Sequence, residues 1–197
     1  MTKLLIIGAG GHGKVVADTA EASGYSNIAF LDQIWPEHTK NGRWKVIGKP
    51  ALIDGQMFCA VGKNDIRARI FEEYHLNNGP ILIHPSVILS PTVKMGPGAL
   101  VVAGSIVNAD TSIGRGAILN TACSVDHDCL IGDFVHISPG AHLAGDVHVG
   151  DGTWIGIGAV VREGVRIGKN VIVAAGAAII SDIEDGARVG GVPARKF

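Results

Sequence analysis

The most regular feature of the chain is a hydrophobic position that recurs every six residues from Ile83 to Ile179. All 17 residues at these positions are aliphatic or Met. From Val87 onward, the residue two places before each of them is small or β-branched. An amphipathic helix would repeat its apolar positions about every 3.6 residues, so the pattern is not helical. A period of six predicts a short strand followed by a turn, repeated along about half of the chain.

A longer period coincides with the first. Three repeats of six make one coil of a three-sided parallel prism, with the aliphatic side chains on its axis and the small residues beneath its corners. We expect glycines that recur once per coil to supply the positive φ that a tight turn requires. The glycines that follow every third aliphatic position are Gly96, Gly114, Gly132, Gly150 and Gly168.

Residues 1–80 lack the repeat and predict a separate unit. Short apolar runs alternate there with helical patterns, which is typical of a small parallel sheet with crossover helices. The predicted strands are Lys3–Ile7, Ile28–Leu31 and Phe58–Val61, and the predicted helices are His12–Ser23 and Asp65–Tyr74. The polar insert Gln33–Lys45 predicts a loop over a ligand site. We therefore predict an α/β half-Rossmann domain at 1–80 and a prism domain at 81–197.

Composition narrows the class of protein. The formal net charge is −1 and no basic stripe is visible, which argues against a nucleic-acid partner. Glycine accounts for 28 residues and aromatic residues for only 5%, as expected of many tight turns rather than one bulky core. Three cysteines, an odd number without metal-ligand spacing, favour a reducing compartment. No apolar run approaches the ~18 residues of a membrane span, so we expect a cytoplasmic protein.

A glycine motif follows the first predicted strand. Gly8-x-Gly10-x-x-Gly13, with Asp32 after the second strand, matches a dinucleotide-binding fingerprint. A dinucleotide fold needs two mononucleotide halves and this unit has one, so NAD is the less favoured ligand. Backbone amides at a helix N-terminus suit any diphosphate, including that of a nucleotide sugar, while Asp32 could accept from a uracil or ribose group. The candidate substrate contacts are Gly10, Gly11, His12, Lys14, Asp32 and Gly62.

His127 has the most informative neighbourhood of the eight histidines. It lies between Asp126 and Asp128 in the prism sequence. Acyl transfer to an amine needs a base that works near pH 7, and imidazole suits this role. A carboxylate on the far ring nitrogen would fix the tautomer, and either aspartate could provide it. We therefore predict His127 as a general base.

Five segments together resemble one family of bacterial enzymes. They are I-I-G-A-G-G-H-G-K at 6–14, A-F-L-D at 29–32, V-G-K-N at 61–64, L-N-T-A-C-S-V-D-H-D at 119–128 and G-V-P-A-R at 191–195. With the prism, they resemble the hexapeptide-repeat sugar acetyltransferases, which include sialic acid O-acetyltransferases and the UDP-4-amino-sugar N-acetyltransferases of bacillosamine biosynthesis. The resemblance implies a left-handed parallel β-helix, acetyl-CoA as co-substrate, a UDP-amino-sugar acceptor, and a homotrimer with active sites between subunits.

The same resemblance implies roles for single residues and for each domain. Residues 1–80 would bind the nucleotide sugar, and residues 81–197 would bind acetyl-CoA and carry the catalytic groups. The implied roles are His127 as base with Asp128 beside it, Gly145 as the N–H donor to the thioester oxyanion, His136, Ile157 and Ala175 as contacts of acetyl-CoA, and Asn120 as a contact of the sugar.

Three alternatives remain at this point. The same base could serve O-acetylation of sialic acid or another sugar hydroxyl. The chain could also be a non-catalytic scaffold that binds a nucleotide sugar. A zinc hydrase on the same prism would need three converging histidines. His136, His142 and His148 are six residues apart and so fall on three different sides of one coil, which predicts no metal site.

Overall fold

The computed structural model describes residues 3–53 and 55–197, and the first of its two units is built on a sheet, here called sheet I. Its strand order is β3-β4-β2-β1-β5, with every neighbouring pair parallel except β3 and β4. The elements are β1 Leu4–Ile7, α1 Gly11–Ala22, β2 Ile28–Leu31, β3 Lys40–Asn41, β4 Trp44–Gly48, β5 Gln56–Cys59, α2 Asn64–Glu73 and a 3-10 helix at Leu76–Asn78. The predicted strands and helices are all present, with ends that differ by up to two residues.

The segment predicted as a loop, Gln33–Lys45, is where the prediction was partly wrong. Its second half forms β3 and the start of β4, joined by a two-residue turn in which Gly42 has φ of +63°. β4 then runs parallel to β2 and buries Val46 against the sheet. Asn41 of this hairpin donates from Nδ2 to the Gly10 carbonyl at 3.1 Å, so the hairpin supports the glycine loop.

The second unit is the prism, and its three walls are parallel sheets II, III and IV, closed at the end by one antiparallel strand, β24. Successive strands of a wall pair in register 18 residues apart, as Val107 does with Val125. Sheet II holds β6 Leu82–Ile83, β9 Leu100–Val101, β12 Ile118–Leu119, β15 His136–Ile137, β18 Trp154–Ile155, β21 Ile172–Val173, β23 Arg188–Gly190 and β24 Arg195–Lys196. Sheet III holds β7 Ile88–Leu89, β10 Ile106–Val107, β13 Ser124–Val125, β16 His142–Leu143, β19 Val160–Val161 and β22 Ala178–Ile179. Sheet IV holds β8 Lys94–Met95, β11 Ser112–Ile113, β14 Leu130–Ile131, β17 His148–Val149 and β20 Arg166–Ile167.

The two sequence columns form the core of the prism, which confirms the predicted fold class. Every aliphatic position from Val101 to Ile179 and every small position from Ala99 to Ala177 is buried. Hydroxyls in the small column are satisfied by carbonyls, as when Thr111 Oγ1 donates to Asp126 O at 2.7 Å. Burial of a polar group is therefore compensated by a hydrogen bond.

The glycines that recur every 18 residues have a different role from the one predicted. Positive φ occurs instead three residues after each aliphatic position, at both glycines and other residues. A Cβ on Gly114 would lie 2.5 Å from the carbonyl carbon of Gly132 in the next coil. These glycines therefore allow successive coils to approach each other closely.

The N-terminal unit covers the outer face of sheet II. Outward-facing Leu82, Leu100 and Ile118 of sheet II are buried in one cluster with Val16 and Ala17 of α1. In the single chain, the outer face of sheet III instead exposes apolar side chains. Those exposed there are Ile88, Ile106 and Val160. The edge between sheets III and IV is therefore the edge opposite the N-terminal unit.

Candidate active site

The glycine loop joins β1 to α1, and its glycines divide into two groups. Gly8 has φ of +106°, and a Cβ on Gly13 would lie 2.4 Å from the Gly8 carbonyl oxygen, so both are required by the fold. A Cβ on Gly10 or Gly11 would meet no described atom within 4 Å. Gly10 caps α1 without a side-chain hydrogen bond, which leaves the first backbone amides of the helix available to an anion.

Asp32 and Gly62 lie at the carboxyl edge of sheet I. Asp32 accepts the Ala9 N–H at Oδ2 (2.6 Å) and the Ile34 N–H at Oδ1 (3.1 Å), so the carboxylate also holds the glycine loop. It lines a pocket of about 200 Å³ between the ends of the strands and α2. A Cβ on Gly62 would have no described atom within 4 Å, which leaves room for a ligand. Lys14 is exposed in the first turn of α1.

A stack of rings connects the glycine loop to sheet II. The centroids of His12 and His136 are 6.1 Å apart, and Trp154 stacks on His136 at 5.2 Å. Asn120 Nδ2 lies 3.1 Å from His136 Nε2. If the amide is the donor, His136 carries its proton on Nδ1, which has no partner among the described residues. Burial, reinforced by the charge of Arg67, lowers the pKa of His136 to about 3 and that of His12 to about 4.

Both imidazoles of the stack are therefore neutral near pH 7. His136 lies against the N-terminal unit rather than beside Ile157 and Ala175, so its predicted contact with acetyl-CoA stays a prediction. Trp154 was missed in the sequence, although it follows His136 by 18 residues, the spacing that stacks neighbouring coils.

His127 lies on the edge between sheets III and IV and is paired with the next residue. Its Nδ1 is 2.8 Å from Asp128 Oδ2. A carboxylate can only accept, so Nδ1 carries the proton and Nε2 of the neutral ring is a free acceptor. Asp126 Oδ1 instead accepts the backbone N–H of His127 at 2.9 Å and an amide N–H of Asn108. Asp128 is thus the carboxylate on the ring, and Asp126 fixes the backbone of the turn.

The charge around His127 favours its protonated form. The hydrogen bond to Asp128, together with the charge of Asp126, raises the pKa of His127 above its ordinary value. The side chain is 59% exposed, so its Nε2 is accessible to an incoming group. Asp128 has φ of +59°, a left-handed conformation that aspartate tolerates better than most residues. The arrangement can take up a proton near neutral pH.

Gly145 lies directly against His127, one coil further along the prism. A Cβ on Gly145 would lie 2.5 Å from Cε1 and 2.7 Å from Nε2 of the imidazole. The N–H groups of its neighbours Ala144 and Asp146 are hydrogen-bonded, whereas Gly145 N–H has no acceptor in the described part of the chain. Gly145 is buried, and a buried backbone donor is rarely left unpaired in a folded protein. The site therefore holds a free donor beside a free base.

Ile157 and Ala175 lie on a different edge, between sheets II and III. They occupy the same corner position in adjacent coils, and the Gly176 N–H donates to Ile157 O at 2.8 Å. No acceptor among the described residues is assigned to the N–H of Ile157 or of Ala175. The Ile157 side chain is 57% exposed. This edge therefore offers backbone donors to an extended ligand, as predicted for a pantetheine arm.

In one chain the predicted site residues thus form three groups. The glycine loop and the ring stack lie at sheet II, the His127 pair lies on the opposite edge, and Ile157 with Ala175 lies on a third part of the surface. His136, His142 and His148 lie on three different sheets. Within residues 3–53 and 55–197, no group of three or more His, Cys, Asp or Glu could hold a metal ion. No helix in the described ranges is long and apolar enough to cross a membrane.

A period-six parallel β-helix with a His–Asp pair on one edge defines the class of hexapeptide-repeat transferases. Residues 3–74 match the family described as the PglD N-terminal domain, and residues 146–181 match the family described as bacterial transferase hexapeptide (six repeats).

Solved structures of high similarity cover the whole chain. The acetyltransferase domain of PglB from Neisseria gonorrhoeae FA1090, in complex with acetyl coenzyme A, is 42% identical over 100% of this chain and 99% of its own, with a TM-score of 0.94. A mutant of perosamine N-acetyltransferase from Caulobacter crescentus, in complex with CoA and GDP-perosamine, is 36% identical over 100% and 97%, with a TM-score of 0.93. The chain therefore belongs to the family of hexapeptide-repeat sugar acetyltransferases with a PglD-type N-terminal domain, as the sequence predicted.

A curated relative matches over a shorter range. The UDP-N-acetylbacillosamine N-acetyltransferase of Bacillus subtilis (strain 168) is 36% identical over 114 residues. The alignment covers 52% of this chain and 52% of the relative, so the chain spans about half the length of the curated relative it matches.

Proposed function

We propose that this protein is an acetyl-CoA-dependent N-acetyltransferase that acetylates the 4-amino group of a UDP-linked amino-dideoxy sugar in bacterial glycan biosynthesis. The observation that carries the proposal is the pairing of His127 Nε2, a free and exposed base, with the unpaired N–H of Gly145 beneath the same ring. Acyl transfer to an amine needs these two groups together, one for the proton and one for the oxyanion. Solved relatives in complex with acetyl coenzyme A or with CoA and GDP-perosamine support the choice of substrates.

The proposed reaction is direct transfer, without an acetyl-enzyme. The amine nitrogen of the sugar attacks the thioester carbonyl, and the new carbon–nitrogen bond forms as His127 Nε2 removes a proton from the amine. Asp128 stabilises the imidazolium that results. The Gly145 N–H donates to the oxyanion, a contact that can contribute about 3 kcal/mol to the transition state. The carbon–sulfur bond then breaks, and the thiolate of CoA takes the proton from the imidazolium.

The nucleotide sugar would bind the N-terminal unit. The open amides at Gly10 and Gly11 suit its diphosphate, with His12 and Lys14 beside it. Asp32 and Gly62 border the pocket of about 200 Å³ that would take the nucleoside. Asn120 would contact the sugar. Backbone donors at Ile157 and Ala175, with His136, would hold acetyl-CoA.

We propose further that the protein is a homotrimer with its active sites between subunits. The glycine loop and the His127 pair lie on opposite sides of one prism, so the loop of one chain can serve only the base of another. The exposed apolar residues Ile88, Ile106 and Val160 on sheet III would be covered in such an assembly. Three free, buried cysteines suit a cytoplasmic enzyme.

Paired histidine variants test the proposed base. CoA release from acetyl-CoA, with a UDP-4-amino-4,6-dideoxy sugar as acceptor, should fall about 10²–10⁴-fold in His127→Ala, as expected when a general base is removed. His148→Ala is the matched control, because it removes another prism histidine, from sheet IV, and should keep the rate. An unchanged rate in His127→Ala would remove His127 from the mechanism.

A further inference from the structure

Arg67 of α2 is a buried cation with every donor in use. It is 1% exposed. Its five N–H groups donate to five oxygens, which is the full capacity of a guanidinium. The acceptors are Gly116 O at 2.7 Å, Phe134 O at 2.7 Å, Val61 O at 3.1 Å, Gly62 O at 3.0 Å and Asn64 Oδ1 at 2.9 Å.

These acceptors belong to both domains. Gly116 and Phe134 lie in successive coils on the prism edge between sheets IV and II, whereas Val61 and Gly62 form the loop that follows β5. Asn64 extends the connection to a third coil, because its Nδ2 donates to Gly152 O at 2.9 Å. One arginine and one asparagine thus attach the loop at the pocket to three coils of the prism.

This joint costs more than packing alone would require. No carboxylate in the described parts of the chain lies within ion-pair distance of Arg67, so its charge is balanced only by neutral oxygens. Burial lowers the pKa of the guanidinium to about 10. A buried charge is tolerated only when fully hydrogen-bonded, and apolar side chains could join the domains at lower cost.

Phe134 adds a second costly feature at the same joint. Its φ of +55° is unusual for a bulky residue and stores strain. The side chain is buried in the cluster of the N-terminal unit and packs edge-on against Phe71 at 5.1 Å. His136, which faces His12 of the glycine loop, follows only two residues later. The distance between the two faces of the ring stack is therefore set by the same joint.

We propose that Arg67 is a positioning residue for the nucleotide-sugar acceptor. It holds the Val61–Gly62 loop against the prism edge, and this fixes the substrate-binding surface between the glycine loop and sheet II. The inference rests on the proposed function, since the acceptor is the ligand of that surface. Arg67 touches neither the base nor the edge with Ile157 and Ala175, so its effect falls on the acceptor alone.

The test compares Arg67→Lys and Arg67→Met with the wild-type protein. Lysine keeps the charge but cannot donate five hydrogen bonds from a planar fork. Both variants should raise the KM for the UDP-4-amino sugar about tenfold or more, as expected for loss of charge-assisted hydrogen bonds. The KM for acetyl-CoA should change less than about twofold. Direct calorimetric binding of the nucleotide sugar should show the same loss of affinity.

Arg115→Lys is the matched control. Arg115 also joins the domains, donating to Glu72 Oε1 at 2.9 Å and to Asp133 Oδ2 at 2.8 Å, but its side chain is 34% exposed and distant in sequence and contact from the Val61–Gly62 loop. It should leave both KM values unchanged. An acceptor KM within twofold of wild type in folded Arg67→Lys would overturn the proposal, as would a lower kcat with both KM values unchanged.

Two further outcomes remain decisive. If Arg67→Lys does not fold, Asn64→Ala replaces it, because that variant removes one acceptor of Arg67 and the bonds to Gly152 and Thr153. The proposal then requires a raised acceptor KM with an unchanged acetyl-CoA KM, and equal values overturn it. If the wild-type protein binds the nucleotide sugar without turnover, the proposed function fails, whereas positioning by Arg67 is judged on the binding affinity alone.

Discussion

Replacing Gly145 by alanine tests the position of the His127 ring without changing the ring itself. The added Cβ would lie 2.5 Å from Cε1 and 2.7 Å from Nε2 of His127. Optimal carbon contacts are about 3.5–4.0 Å, so the ring must move by roughly 1 Å. Because the imidazole is 59% exposed, it has room to move toward solvent. The predicted consequence is a base displaced from the reacting amine.

The expected loss is large in rate and small in stability. A misplacement of about 1 Å in an active site can lower the rate about 10²-fold, so kcat should fall by that order. Gly145 has no positive φ and the displaced neighbour is an exposed side chain, so the free energy of unfolding should change by less than about 1 kcal/mol. CoA release measures kcat, and urea unfolding measures the stability.

A double variant separates this explanation from a general effect of alanine. In His127→Ala there is no ring to displace, so adding Gly145→Ala should cause no further loss. Gly48→Ala controls for glycine replacement, since its Cβ would meet Leu31 at an ordinary 3.7 Å. Wild-type kcat in Gly145→Ala would refute the reasoning, and so would an equal loss in the His127→Ala background.

The remaining predictions concern the carboxylate and the assembly. The pKa of His127 is raised mainly by Asp128, and a base works only when neutral, so activity should be lost as pH falls through that raised pKa. Asp128→Asn should move this acid limb to lower pH and reduce the maximal rate about 10²–10⁴-fold through loss of the correct tautomer, whereas Asp126→Asn should keep the maximal rate within about tenfold. A pH profile that does not move in Asp128→Asn would contradict the assignment. If active sites lie between subunits, refolding a mixture of two inactive variants, His127→Ala and Gly10→Val, should restore part of the activity, and a mixture that stays inactive would argue against shared sites.

The prism could be predicted because its signal is local and repeats. Each buried aliphatic residue is fixed by its own hexad, so the two columns appear in the sequence without knowledge of the whole fold. The role of the glycines that recur once per coil could not be derived in the same way. Whether Gly114 serves a turn or a close contact depends on Gly132 in the next coil, and residues such as Phe134 occupy positive φ where glycine was expected.

The parts of the site that depend on domain packing were also missed. Arg67 lies on an amphipathic helix, where an arginine is ordinarily exposed, and its five acceptors come from separate segments. The hairpin at β3 and β4 is polar and buries few side chains, which resembles a loop in sequence. A usable signal existed for the covered wall, since Leu82, Leu100 and Ile118 are outward-facing apolar residues spaced by 18.

The central claim is that the free base and the open glycine loop serve N-acetylation of a nucleotide-linked amino sugar. The most direct measurement is the mass of the product formed with acetyl-CoA and each of three acceptors: a UDP-4-amino-4,6-dideoxy sugar, its GDP counterpart and free sialic acid. The account predicts an acid-stable and base-stable amide with the UDP-linked amino sugar, and none with sialic acid. A base-labile ester on sialic acid, or binding of the nucleotide sugar with no acetyl transfer to any acceptor, would contradict it.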